Sequence, residues 1–175
     1  MSAYTIRPEQ EHEFLFIHAL IKEAFATAQV SSGDEQDFAV RLRSGQSYLP
    51  ELALVAEEGG RLAGHIMLTR LTLYLDKGES MPILLLAPLS VRIENRRQGI
   101  GAALIHDSFK RARTLGYTAV FLAGDPAYYG RFGFRAAVTF GIRHEPASIP
   151  DQYVLACEFF CGALTNTSGI FNFFE

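Results

Sequence analysis

The spacing of hydrophobic positions changes several times along the first 75 residues. From about Gln10, apolar side chains recur at the spacing of one helix face, so we predict a helix there. The set is Phe14, Ile17, Ile21 and Phe25, with His18 on the same face. The polar stretch SSGDEQ ends this pattern, and a shorter helix is predicted over about 34–43. A short strand, AYTIRP, precedes both helices.

Residues 51–75 have the pattern of a β-hairpin that turns at Glu58-Gly59-Gly60. The next apolar run, PILLLAPLSV, is continuous, which is typical of a strand covered on both faces. Its Pro88 cannot donate to a ladder, so this strand must bulge or part from a neighbour there. A helix over about 99–115 and the strand YTAVFLAG follow, and this order predicts a right-handed crossover between parallel strands.

The last third of the chain completes the predicted sheet. FRAAVTFGI and DQYVLACEFF are predicted as its closing strands. The tail over 162–175 is expected to cover the sheet or a binding cleft, with a possible last hairpin about Ser168-Gly169. We therefore expect a single domain over residues 1–175.

Composition restricts the classes of function. Hydrophobic residues make up 49% of the 175 residues, which is enough for a packed core. A net charge of −3 does not suggest nucleic-acid binding, and no apolar run is long enough to predict a membrane span. The first residues lack the pattern of a signal peptide, so a cytoplasmic location is expected. The two cysteines have no second Cys/His pair nearby, so no metal site is predicted.

One basic window contrasts with the acidic remainder of the chain. Residues 92–113 carry a net charge of +4, which leaves −7 for the rest, so the window favours an anion. Within it, RRQGIGAAL places Gly99 and Gly101 at a predicted helix start after a buried strand. Helix starts expose unpaired N–H groups, and glycine lets an anion approach the backbone. The amides from Arg97 to Ala102 therefore predict a pyrophosphate site, with a plain tight turn as the alternative.

This loop differs from the common nucleotide-binding signatures. No Gly-Lys-Ser/Thr follows, and Leu104 stands at the third glycine position of a dinucleotide fingerprint. Instead, Arg96-Arg97-Gln98-Gly99-Ile100-Gly101 matches the [RQ]-x-x-G-x-[GA] signature of the GNAT superfamily of N-acetyltransferases. LSV before it and AYYGRFGF after it are similar to the family's corresponding segments, as is the order of elements. The segment GDPAYYGRFGF most resembles the YhbS-like bacterial subgroup of predicted acetyltransferases.

The resemblance implies an α/β (α+β) GNAT fold. Its mixed, mostly antiparallel sheet of about seven strands has helices on both faces, and the fourth and fifth strands splay apart. The resemblance also implies acetyl-CoA as co-substrate in the gap between these strands, with no metal. The pantetheine arm would then pair with the backbone of Leu89, Ser90 and Val91. The pyrophosphate would lie on the segment formed by Arg96, Arg97, Gln98, Gly99, Ile100, Gly101 and Ala102.

The resemblance also implies a chemistry. Acyl transfer from a thioester to an amine needs an oxyanion stabiliser and a proton for the departing thiolate. The family places a tyrosine general acid five residues before the Phe of a terminal Gly-Phe, which selects Tyr129, with Tyr128 as a possible substitute. Core packing is the alternative role for such a tyrosine. The Leu89 N–H is the candidate partner of the thioester carbonyl.

A general base is harder to identify. The predicted strand ILLLAPLSV carries no acid, where family members often have a glutamate. His65 is the best remaining candidate, because histidine titrates near neutral pH. A lone histidine in an apolar strand is more often a core residue, so both roles stay open.

Several functions remain compatible with these patterns. The resemblance favours an N-acetyltransferase acting on a primary amine of a small molecule or protein, as a monomer or homodimer, without a nucleic-acid or membrane partner. An acyl-CoA-binding sensor of the same fold would explain the missing acid. A nucleotide-binding module, or an interaction protein that docks through the tail IFNFF, are further alternatives.

Overall fold

The computed structural model describes residues 4–28 and 31–174. The helices are α1 (Phe14–Phe25), α2 (Glu35–Ser44), α3 (Ile100–Thr114) and α4 (Pro126–Tyr129). The strands are β1 (Tyr4–Pro8), β2 (Ala53–Glu58), β3 (Arg61–Leu75), β4 (Ser80–Val91), β5 (Ala119–Ala123), β6 (Arg135–Ala136), β7 (Ile142–His144), β8 (Val154–Glu158) and β9 (Gly169–Phe171). In the part of the chain described, no helix has the length and hydrophobicity to cross a membrane.

The strands form a mixed sheet. Their hydrogen bonds follow the order β1-β2-β3-β4-β5-β8-β6, and the short β9 pairs with β3 and β7. The β4–β5 and β7–β9 pairs are parallel, whereas β1–β2, β2–β3, β5–β8 and β6–β8 are antiparallel. The predicted mixed, mostly antiparallel sheet is confirmed, with seven strands on its main path. The parallel β4–β5 pairing joins Leu84 to Val120 and Leu85 to Phe121, just before the predicted irregularity at Pro88.

The chain divides into two compact units. The first contains the described residues up to 69 together with residues 87–112, and the second contains residues 70–86 and 113–174. Strands β3 and β4 contribute residues to both units. The expectation of a single domain over 1–175 stays a prediction.

Helices cover both faces of the sheet within the first unit. On one face, Val55 of β2 packs against Ile17 of α1 and Ala39 of α2. On the other face, a Cβ added to Gly64 of β3 would stand 3.0 Å from Leu104 Cδ1 of α3. Because neighbouring strand residues point to opposite faces, β3 presents alternate side chains to α3 and to the α1/α2 side.

Within the second unit, the tail joins the sheet. Residues Gly169–Phe171 form β9, which pairs with β3 at Tyr74 and Leu75 and with β7. The prediction of a hairpin about Ser168-Gly169 is therefore wrong, because the backbone of this segment forms its strand hydrogen bonds with β3 and β7. The ring centroids of Phe121 and Phe171, both buried, lie 4.9 Å apart.

The segment FRAAVTFGI also differs from its prediction as one strand. It forms the two-residue β6, a 3-10 turn at Ala137–Phe140 and then β7. The turn ends at Gly141, whose φ of 75° is left-handed and cannot continue a strand. Sequence alternation gave no sign of this interruption.

Candidate functional site

The loop between β4 and α3, in the first unit, has an unusual backbone. Arg97 and Gly99 are both left-handed, with φ of 61° and 83°. Left-handed residues of this kind turn successive N–H groups toward one point and form anion-binding concavities. Arg97, Gln98 and Gly99 are exposed, whereas Ile100 and Gly101 are buried. The backbone just before the helix is therefore the part that a solute can reach.

The first turn of α3 adds further N–H groups. The Ala103 N–H donates to the Gly99 carbonyl over 3.0 Å. The N–H groups of Ile100, Gly101 and Ala102 lie before this bond, at the helix start that lacks intrahelical acceptors. A Cβ added to Gly99 would meet nothing within 4 Å, so the space before the loop is open. This geometry fits an anionic group held by backbone amides and the helix dipole.

The two arginines of the loop differ in their contacts. The Arg96 guanidinium donates to the Ala24 carbonyl over 2.7 Å and to Thr27 Oγ1 over 2.9 Å. It thereby binds the carbonyl end of α1, where a cation is favoured by the helix dipole. The Arg97 side chain is exposed. A phosphate contact by either arginine stays a prediction.

Leu89, Ser90 and Val91 are the last three residues of β4. Leu89 and Val91 are half-buried, while Ser90 is buried. The Ser90 hydroxyl has no hydrogen-bond partner among the described residues. The residue that follows this strand is hydrogen-bonded to β3, since the Arg92 N–H donates to the Ala63 carbonyl over 2.9 Å.

Tyr129 is the last residue of α4 in the second unit. Asp125 caps this short helix by accepting the Ala127 N–H over 2.8 Å. The Tyr129 ring makes edge contacts with Tyr128 and Phe134, at centroid distances of 4.9 and 5.6 Å. These contacts fix the direction of the half-buried phenol.

The protonation state of Tyr129 follows from this packing. Burial, together with the neighbouring Tyr128 hydroxyl, raises the pKa of Tyr129 above its ordinary value. The phenol therefore keeps its proton at neutral pH. Tyr128 is half-buried as well, and the Arg131 guanidinium lies 4.2 Å from its ring centroid.

His65 lies in the core of the first unit, on the α1/α2 side of β3. It is fully buried, and its Nε2 lies 2.8 Å from Glu9 Oε2. Arg43 donates to both oxygens of the same carboxylate, over 2.7 and 2.9 Å. The Tyr48 hydroxyl donates to Glu9 Oε1 over 2.9 Å. We refer to Glu9, Arg43, Tyr48 and His65 as the Glu9 cluster.

Charges in the Glu9 cluster are set by these contacts. Burial alone would raise the pKa of Glu9, but hydrogen bonds from His65 and Arg43 outweigh it and lower the pKa to about 2. Burial lowers the pKa of His65 despite the adjacent carboxylate. At neutral pH the cluster is therefore a carboxylate–guanidinium pair beside a neutral imidazole. Since His65 is fully buried, it can serve as a base only through an intermediary.

Sequence reasoning selected His65 but missed its partners. Glu9 lies 56 positions from His65 and stands in no motif, so no local pattern points to the pair. Among residues 4–28 and 31–174, no group of three or more His, Cys, Asp or Glu side chains is arranged to hold a metal ion.

Comparison with known proteins identifies the family to which the fold belongs. A family model described as an acetyltransferase (GNAT) domain matches residues 5–137. The chain therefore belongs to the GNAT acetyltransferase family.

Individual relatives agree with the predicted subgroup. YjhQ of Escherichia coli strain K12, described as an uncharacterized N-acetyltransferase, is 35% identical over 121 residues, which are 68% of this chain and 65% of YjhQ. YhbS of the same strain, also described as an uncharacterized N-acetyltransferase, is 33% identical over 93 residues, or 53% of this chain and 54% of YhbS. The matches thus span less than two thirds of both relatives.

Solved structures share the fold over most of the chain. The crystal structure of Escherichia coli YhbS in complex with CoA has a TM-score of 0.86 at 25% identity, covering 98% of this chain and 90% of that one. A GNAT family acetyltransferase from Brucella melitensis, solved in complex with acetyl-CoA, has a TM-score of 0.73 at 27% identity, covering 91% and 90%. The YhbS-like resemblance is confirmed.

Proposed function

We propose that this protein is an N-acetyltransferase that transfers an acetyl group from acetyl-CoA to a primary amine by direct attack. The observation that carries the proposal is the loop at 96–102. In this loop, Arg97 and Gly99 have left-handed backbone conformations just before the first turn of α3. The chain that carries this loop belongs to the GNAT family. The crystal structures of YhbS with CoA and of the Brucella melitensis relative with acetyl-CoA support the same co-substrate.

In this proposal, backbone groups hold acetyl-CoA. The amides from Arg97 to Ala102 bind the pyrophosphate, because they combine unpaired N–H groups with the positive end of the helix dipole. The backbone of Leu89–Val91 pairs with the pantetheine arm, and the Leu89 N–H stabilises the oxyanion that forms on the thioester carbonyl. The exposed Arg97 guanidinium adds charge for the phosphates.

Tyr129 is proposed as the general acid. The amine nitrogen bonds to the carbonyl carbon, the C–S bond breaks, and the departing thiolate takes the phenol proton of Tyr129. The phenolate then recovers a proton from solvent. The support is chemical: a phenol with the ordinary tyrosine pKa of about 10 is protonated at neutral pH, so the proton is present when the thiolate forms. Tyr128, in contact with Tyr129, is the proposed substitute.

A sensor domain that binds acyl-CoA without turnover is the second candidate. The observation in its favour is β4 itself, whose residues Ser80–Val91 include no acid that could serve as a base. The amine acceptor is proposed to belong to a small molecule or a protein. A monomer or homodimer and a cytoplasmic location also stay predictions.

Thiol release from acetyl-CoA tests the proposal, with polyamines, amino acids, an aminoglycoside and a lysine peptide as acceptors. We expect turnover with at least one amine, and Tyr129→Phe to lower kcat by about 100-fold with little change in acetyl-CoA affinity. Tyr153→Phe, which removes an exposed phenol, is the matched control. Binding of acetyl-CoA without turnover on any amine would favour the sensor. A Tyr129→Phe variant with the kcat of the wild type would exclude Tyr129 as the acid.

A further inference from the structure

Three buried side-chain atoms on β3 and β4 of the first unit lack a hydrogen-bond partner. Among the described residues, these are His65 Nδ1, Thr69 Oγ1 and Ser90 Oγ. His65 and Thr69 are fully buried, and Ser90 is 2% exposed. Buried polar groups are nearly always paired with protein or water, so unpaired groups that lie on neighbouring strands indicate a bound polar molecule.

The Glu9 cluster determines what the unpaired nitrogen of His65 can do. An ionised carboxylate accepts hydrogen bonds and cannot donate them, so the Nε2 facing Glu9 must carry the imidazole proton. In a neutral imidazole the other nitrogen then has a free lone pair. Nδ1 is therefore a proton acceptor, held in a fixed orientation by a carboxylate that Arg43 and Tyr48 in turn orient.

From the strand register we infer that Ser90 lies on the same face of the sheet as His65. The Arg92 N–H donates to the Ala63 carbonyl. Continuing the antiparallel ladder from this bond places Ser90 opposite His65, and opposite residues share one face of a sheet. Ser90 also lies in the segment Leu89–Val91, which is proposed above to hold the pantetheine arm. Thr69 lies four residues along β3 from His65, at a distance of about 13 Å.

We propose that Glu9 is a positioning residue, which holds His65 as the Nε2–H tautomer so that Nδ1 and the Ser90 hydroxyl together bind one water molecule that accepts the proton of the attacking amine. This inference rests on the proposed function and deepens it, because it supplies the base that β4 lacks. A single water has enough hydrogen-bonding capacity to satisfy both unpaired groups.

The proton transfer balances as follows. As the amine nitrogen bonds to the carbonyl carbon, its proton passes to the water oxygen, and a proton of that water moves to His65 Nδ1. The resulting imidazolium donates Nε2–H to the Glu9 carboxylate, which stabilises its charge. The proton returns to solvent after the thiol has left. The titratable groups that contact Glu9 and His65 in this step are Arg43 and Tyr48.

The tautomer of His65 is tested by nitrogen-15 NMR of the histidine side chains in the full chain, with His65→Gln to assign the signal. At neutral pH we expect a pyridine-type Nδ1 and a pyrrole-type Nε2. A protonated Nδ1 would overturn the inference. This measurement needs no turnover, so its failure differs from failure of the proposed function, which would appear as a wild type inactive on every amine.

The role of Ser90 is tested by kinetics. We expect Ser90→Ala to lower kcat at least about tenfold and to move the acidic limb of the pH profile, with KM for acetyl-CoA within about twofold. Thr69→Val is the matched control, because it removes another buried, unpaired hydroxyl from β3. Equal effects of both variants, or a Ser90→Ala enzyme with the wild-type pH profile, would overturn the inference. The test does not depend on Glu9 variants, which are expected to be unstable.

Discussion

The first unit contains two polar regions that differ in how they are built, the loop at 96–102 and the Glu9 cluster. Strand β3 lies next to both of them. Gly64 faces α3, whose first turn continues the loop at 96–102. The next residue, His65, faces the Glu9 cluster on the other side of the strand. The loop is exposed and contiguous, and the groups that it offers to an anion are backbone N–H groups. The Glu9 cluster is buried, joins residues distant in sequence, and acts through side chains.

From this difference we expect the loop to bind a ligand and the Glu9 cluster to hold its side chains in a fixed orientation. Backbone amides at a helix start form a site wherever the local conformation allows, so loop variants should change binding more than stability. A buried ion pair depends on every partner, so variants of the Glu9 cluster should change stability first.

The largest effect is expected for Glu9→Gln. This change leaves the Arg43 guanidinium, with a side chain 9% exposed, without its counter-charge. Removing one partner of a buried pair costs about 3–5 kcal/mol, and we expect the free energy of unfolding to fall by that amount. Denaturant titration measures it. Glu11→Gln, at an exposed position, is the control. Equal stability of the two variants would show that the Glu9–Arg43 pair does not contribute to the free energy of unfolding.

Gly64→Ala tests the other side of β3. Its Cβ would lie 3.0 Å from Leu104 Cδ1 and 3.1 Å from both Ile100 Cγ2 and the Ser90 carbonyl. Overpacking of this kind costs about 1–3 kcal/mol, and the shift of α3 should also weaken acetyl-CoA binding. Thermal unfolding and ligand titration measure the two effects. At Gly130 a Cβ meets nothing within 4 Å, so Gly130→Ala should be neutral or more stable by up to about 1 kcal/mol.

The smallest expected effect is a pH dependence of stability. Because burial lowers the pKa of His65 in the folded state, the unfolded chain binds a proton that the folded chain does not. The free energy of unfolding should therefore fall below about pH 6.5, by up to about 1.4 kcal/mol per pH unit. Glu9 affects the free energy of unfolding at lower pH. The stabilisation that follows from its lowered pKa is lost as the pH falls from its ordinary pKa of 4.5 to about 2.

Urea titrations between pH 7.5 and 5.5 measure the His65 contribution. His18→Gln is the control, since the partly exposed His18 ring pairs only with Asp37 among the described contacts, over 3.1 Å. The control should retain the wild-type slope. A flat stability over this range in the wild type would contradict the assigned neutral state of His65.

The same contrast explains which features the sequence could predict. The loop was predictable because Arg96 to Gly101 form one contiguous signature after a continuous apolar strand. The Glu9 cluster was not, because Glu9 follows β1 while Arg43 and His65 lie in α2 and β3, and only folding brings them together. His65 was found through its residue type, but its burial and its partners have no local signature. The positions of β6, β7 and β9 likewise depend on pairing between distant segments.

The acetyl-CoA site is tested most directly by isothermal titration of the wild type, Gly99→Val and Gly78→Val with acetyl-CoA, using ATP and NAD as controls. Both glycines have positive φ, 83° and 92°, and a Cβ at either would meet nothing within 4 Å, so the two variants carry similar backbone strain. We predict 1:1 binding by the wild type, at least about tenfold weaker binding by Gly99→Val, and unchanged binding by Gly78→Val. No acetyl-CoA binding by the folded wild type, preference for ATP or NAD, or equal weakening in both variants would contradict a backbone site at this loop.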